Sequence, residues 1–279
     1  MAKELKTEET PDLFDKGFAL LASARVGQDV TVRDDQHEFS WILDAIRSCR
    51  RAGGRFRLVD SGGFDAFQLE WLGEAGADIY TSDRVGRGEA EVGLIVRACR
   101  RGRSIAAHLH HGDLVTEGGE NPLSIAALGN LGEDGLYLHL SNRETKRDFP
   151  ILGRFAGSCR KGGSRLVYYH HGGLDPEMKT LAESGAWMHF SDEGLRSEEN
   201  RILSLDIIRA ARSNGAGIII HMEKKLEISF LWDFLQAGAF VLFKTRAFDY
   251  RSPFKALEEE AGRNLPDFRA FFLSPAFIL

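Results

Sequence analysis

Histidines gather in this chain where proton or metal chemistry could be done. Eight of the nine, His108, His110, His111, His139, His170, His171, His189 and His221, lie in or directly after short apolar runs. Imidazole titrates near neutral pH and ligates metals, so the placement offers both chemistries. Carboxylates end similar runs at Asp60, Asp83, Asp192 and Glu223, and a lysine ends another at Lys244. In extended chain, alternate residues share a face. That rule groups Ala106 with His108 and His110, Ile219 with His221 and Glu223, Leu58 with Asp60, and Tyr168 with His170.

A divalent ion such as Zn, Mn or Fe needs at least three converging N or O ligands. Asp60, His108, His110, His170, His221 and Glu223 are the candidate set, and a bound ion would activate water or polarise a carbonyl. The rival is a hydrogen-bonded polar layer without metal. There His108 and His221 act as acid and base, oriented by Asp83 or Asp192. About half of the strand histidines are expected to face outward and bond to helices, His189 first among them. Lys244 can be a Schiff-base nucleophile or a clamp for a carboxylate or phosphate. The clamp is favoured, because nothing in the sequence lowers its pKa. Arg143 and Arg246 add positive charge. Gly62-Gly63 and Gly172-Gly173 each precede a helical pattern, where backbone N–H groups can hold an anion.

The elements that must position these groups are eight apolar runs between Gly54 and Arg246. They are RFRLVD, ADIYTSD, SIAAHLH, GLYLHLSN, SRLVYYHH, AWMHFSD, GAGIIIHME and AFVLFKT. Helical patterns alternate with them, which predicts parallel βα units. Eight units predict an α/β fold, a single (β/α)8 TIM barrel whose strand C-termini open on one face. Residues 1–53 are an N-terminal extension with capping helices, 54–262 the barrel and 263–279 an apolar tail. VTVRDD, at 30–35, reads as a short strand or an edge loop.

The halves echo one another. VDSGGFDA matches YHHGGLDP, and LGEAGADIYTSD matches LAESGAWMHFSD. GRSIAAHLH matches GAGIIIHME, and GLYLHLSNR matches GAFVLFKTR more weakly. The order is preserved through four units, which points to a duplicated half-barrel. Asp60 then pairs with His170, Asp83 with Asp192, His108 with His221 and Ser141 with Lys244. The arrangement resembles the sugar-phosphate isomerase and cyclase barrels of histidine biosynthesis in architecture alone. HMEKKLE and FKTRAFD stand where the glycine-rich phosphate loops of those barrels would be, so no function is carried over.

With 279 residues and 43% hydrophobic content, the chain can bury one large core. A net charge of -5 argues against a general nucleic-acid surface. The three cysteines are widely spaced, as expected of reduced thiols. MAKELKTEET has no apolar signal core, and no run is long enough to span a membrane. These features predict a cytoplasmic protein. The aromatic tail is a candidate interface for a homo-oligomer. The functional expectation is a metal-assisted hydrolase, or a related proton-transfer enzyme, acting on a small anionic metabolite. The alternatives are a metal-free, aldolase-like lyase using Lys244, and a non-catalytic ligand-binding or assembly protein.

Overall fold

The computed structural model of the protein describes residues 13–116, 123–222 and 228–243. Helix α1 (Leu13–Arg25), strand β1 (Val30–Arg33) and α2 (Phe39–Arg51) precede the units read from the sequence. Then come β2 (Phe56–Val59), α3 (Ala66–Ala75), β3 (Asp78–Ser82), α4 (Glu89–Gly102), β4 (Ala106–His110), α5 (Ile125–Asp134) and β5 (Tyr137–Ser141). The chain continues through α6 (Phe149–Lys161), β6 (Leu166–His170), α7 (Glu177–Glu183), β7 (Trp187–Ser191), α8 (Glu198–Ser213), β8 (Ile218–Met222), α9 (Ile228–Ala237) and β9 (Phe240–Phe243). All eight expected runs form strands, β2 to β9. The ambiguous VTVR segment supplies one more, so the described sheet has nine strands rather than eight.

Every strand pairs in parallel with the next, in the order β1 to β9. Each helix also packs against the helices before and after it. A parallel sheet wound one way, with its helices in one continuous outer layer, is the α/β barrel winding. Among the described residues no pairing joins β9 back to β1.

The two faces of the sheet differ. One core cluster mixes strand and helix residues, including Leu58, Ile79, Leu138, Leu166, Met188 and Ile220. The other is built from strands alone: Tyr80, Ala107, Val167, Tyr169, Trp187 and Ile219. These are buried, and among the described residues no helix residue belongs to this cluster. Tyr80, on β3, is also close enough to Tyr169, on β6, to raise its pKa. The sheet therefore curls, and this is its inner face. It is open at β1, where Thr31 and Arg33 are exposed.

Two units together form a repeat finer than the half-barrel. Arg50, Arg100, Arg160 and Arg212 occupy the last turns of α2, α4, α6 and α8. Each lies against the left-handed glycine that ends the next helix: Gly76, Gly135, Gly185 and Gly238. Glycine is needed there because its φ lies between 88° and 110°. The cysteines follow the same pattern. Cys49, Cys99 and Cys159 each directly precede one of these arginines and are fully buried. Burial pushes the Cys99 thiol up to about 12 and the Cys159 thiol up to about 11, so both are packing groups.

Candidate functional site

The C-terminal ends of the strands carry most of the expected polar residues, but the chain's own groups hold many of them. Asp60 follows β2 and is buried against Arg87, with Arg87 Nε at 2.5 Å and Nη2 at 2.8 Å from its two oxygens. Asp60 Oδ1 also accepts from Gly62 N–H at 3.0 Å. This carboxylate is a structural partner, not the metal ligand expected. The Gly62-Gly63 loop does bind an anion, but that anion is internal. Asp34 accepts from the N–H groups of Ser61, Gly63 and Phe64 at 2.9, 2.9 and 3.2 Å, and from the Ser61 hydroxyl.

Asp83 begins a 3-10 turn after β3, and Asp192 begins the matching turn after β7, as the duplication predicts. Asp83 Oδ2 accepts from His111 N–H at 2.9 Å and Gly112 N–H at 2.7 Å, which fixes the loop after β4. Asp192 is fully buried.

The histidines separate by face. Ala106, His108 and His110 share a face as expected, but it is the helix-facing one, in register with Ile79 and Leu138. His170 lies on that face as well, in register with Phe190. His221 pairs with Ser191 and Leu242, and so belongs to the inner face with His189. The expected ligands His108, His110 and His170 are thus across the sheet from His221. Among the described residues no three His, Cys, Asp or Glu side chains converge to hold a metal. Glu223, Lys244 and Arg246 lie outside the described residues, as does the tail at 263–279. Arg143 is exposed, and its backbone N–H donates to Ser141 Oγ at 3.1 Å.

Burial fixes the helix-side imidazoles in neutral form. His108 is pushed down to about 3, with both ring nitrogens lacking a hydrogen-bond partner. His110 Nε2 meets Asp113 O at 3.2 Å and His170 Nε2 meets Gly173 O at 2.7 Å. A carbonyl only accepts, so both rings carry their proton on Nε2. His108 is a core residue and does not reach the mouth as a general base.

The inner face holds what the sequence reading missed. His189 Nδ1 and His221 Nε2 are 2.7 Å apart, with the rings stacked at 5.0 Å. His189 does not bond outward to a helix, as expected for it. It is buried, its ring lies 4.4 Å from that of Tyr169, and burial holds its pKa well below the usual range. His221 is only half-buried, at the end of β8. Beneath the pair, His139 Nδ1 meets the Tyr169 hydroxyl at 3.0 Å. His139 is pushed down to about 3 by burial, and burial raises Tyr169 well above its ordinary value. The signal in the sequence was a second alternation: Tyr137/His139, Val167/Tyr169 and Trp187/His189 put large or polar groups on one register of three successive strands.

No family model matches the chain, and no curated protein is similar to it in sequence. Among solved structures it is similar to a mandelate racemase/muconate lactonizing protein from Herpetosiphon aurantiacus, with 15% identity and a TM-score of 0.36. That match covers 77% of this chain and 53% of the other, so the chain spans about half of that protein's length. An HpcH/HpaI aldolase from Desulfitobacterium hafniense is similar at 11% identity and a TM-score of 0.34, covering 90% of this chain and 98% of that one. A mandelate oxidase carrying an FMN adduct is similar at 17% identity and a TM-score of 0.32, covering 85% and 72%. Likeness at this level says nothing of substrate or reaction. No helix among the described residues is long and apolar enough to cross a membrane.

Proposed function

We propose that the chain is an enzyme that moves protons on a small anionic metabolite at the inner mouth of the barrel. His221 is the acid–base group and His189 is the residue that positions it. The observation that carries this reading is the 2.7 Å hydrogen bond between His189 Nδ1 and His221 Nε2. When His221 takes a proton, its Nε2–H donates to Nδ1 of a buried, neutral His189, which stabilises the imidazolium. The tilted ring of Tyr169, 4.4 Å away and itself held by His139, packs against His189 and restricts its ring. The C-terminal end of a barrel strand is where catalytic groups stand in this fold. The aldolase-like alternative depends on Lys244, outside the described residues.

The test is hydrogen–deuterium exchange in D2O, followed by proton NMR. The panel is small carboxylates and phosphate esters with an acidic C–H beside a carbonyl. Wild-type chain should exchange at least one of them. His221→Gln should slow that exchange by about 100-fold or more, the usual weight of a general acid–base group. Exchange that proceeds equally fast in His221→Gln would sink the reading.

A further inference from the structure

A second polar site lies on the opposite face of the sheet, where the loop from β5 to α6 meets the loop from β6 to α7. It is a cleft of about 340 Å³, and its lining includes Asn142, Lys146, Arg147, Tyr168 and His170. The role proposed for His221 and His189 does not use it.

Arg147 is the unusual residue. It is 4% exposed, yet among the described residues it forms no ion pair with a carboxylate. Nε donates to Ser141 O at 2.7 Å, Nη1 to Gly112 O at 2.7 Å, and Nη2 to His110 O at 3.1 Å and His111 O at 2.8 Å. Its hydrogen bonds are satisfied by neutral carbonyls. Burial disfavours its charged form and outweighs Asp83, Asp113 and Glu144, which act on that charge from beyond contact. Burying a cation is costly unless an opposite charge is near. Lys146, the next residue along the chain, is exposed on the same cleft and forms no ion pair among the described residues.

Two carboxylates also line the cleft, and both are engaged. Glu144 pairs with Arg84; Asp175 Oδ1 accepts from Glu177 N–H at 2.9 Å, but its charge still acts on Tyr168 and His170. His170 offers no charge: its Nε2–H is given to Gly173 O, and burial keeps it neutral. Its Nδ1 faces the Tyr168 hydroxyl and the Asn142 amide, each at 3.4 Å. Both are long hydrogen bonds. The Asn142 amide is fixed by His171, giving Nδ2–H to His171 O at 2.9 Å and accepting from His171 N–H at 2.7 Å, so it is the Tyr168 hydroxyl that can turn to a stronger acceptor. With Glu144 paired to Arg84, Lys146 and Arg147 outnumber Asp175 in charge, and the Tyr168 hydroxyl meets them at the same opening.

We infer that this cleft binds a small oxyanion, a carboxylate or a phosphate group. Lys146 and the Tyr168 hydroxyl would contact it directly, and Arg147 would supply the field behind them. The inference does not depend on the role proposed for His221.

The test uses the full chain, with NMR of the side-chain amide of Asn142 and the ring of His170. Inorganic phosphate and malonate are titrated separately at fixed ionic strength, which distinguishes the two anion sources. At least one should give saturable shifts at both reporters. Lys146→Gln should weaken that binding about threefold to tenfold, as fits the loss of one charged contact. Lys146→Glu should abolish it, and Tyr168→Phe should weaken it. Lys146 is exposed, so its variants should keep the wild-type circular dichroism spectrum. No saturable shift with either anion would overturn the inference. So would binding that is unchanged in both Lys146→Glu and Tyr168→Phe.

Discussion

A carboxylate buried against a guanidinium costs a great deal to uncouple, and it has little left to give a metal. Asp60 is in that position, 4% exposed with two bonds from Arg87. Asp60→Asn should leave the buried Arg87 with only its 3.6 Å contact to the half-exposed Glu91 and destabilise the chain by about 3 kcal/mol in urea unfolding. An active-site carboxylate could instead be neutralised with little loss of stability, so wild-type stability in that variant would contradict this assignment. Sequence spacing identified Asp60 as a polar strand end, but could not see Arg87 arriving from a loop 27 positions away. His221 was expected at the mouth, and it lies half-buried near the end of β8 on the inner face. Its partner was not expected there, because His189 lies inside an apolar run where an imidazole bonded to a helix is the ordinary expectation.

Strands and helices were the most legible level. Each of the eight apolar runs became a strand, because buried parallel strands must be continuously apolar. The period of two also grouped Ala106 with His108 and His110, and Tyr168 with His170, as the register has them. It could not say which group faced inward: Ala106 faces the helices, and Ala107 lines the inner face. The helix contacts rest on glycine at matched places. A Cβ added at Gly102 would lie 1.9 Å from Gly73 O, and one at Gly162 would lie 2.2 Å from Gly132 O. Gly102→Ala and Gly162→Ala should therefore force α3 from α4 and α5 from α6, each losing about 3 kcal/mol in chemical denaturation. A loss in one variant only would show that the two-unit repeat is not energetically equivalent around the barrel. Asp34 acts at this level too. Asp34→Ala would strand three loop N–H groups and the Ser61 hydroxyl, and should cost about 2 kcal/mol by the same measurement.

At the scale of the whole molecule, the barrel buries imidazoles in both layers, and this makes it acid-sensitive. His108 and His139 fall to about 3 in the folded chain, against about 6.5 when unfolded. Above pH 6.5 neither state binds the extra proton, and stability is full. As pH falls from there toward 3, only the unfolded chain takes it up, so stability is lost. At pH 5 the loss is on the order of 2 kcal/mol for each histidine. His189 acts in the same direction. Urea midpoints at pH 7 and pH 5 measure this, and His139→Gln should shrink the difference. The sequence showed that strand ends would converge, but not how the curled sheet divides its histidines between two faces. That division decides which of them can reach a ligand at the inner mouth. The most direct measurement compares kcat for His221→Gln and His108→Gln on one substrate found by deuterium exchange, with both variants shown to be folded. Turnover should fall about 100-fold or more in His221→Gln and stay within about twofold of wild type in His108→Gln. A collapse in His108→Gln with His221→Gln intact would place the chemistry on the other side of the sheet.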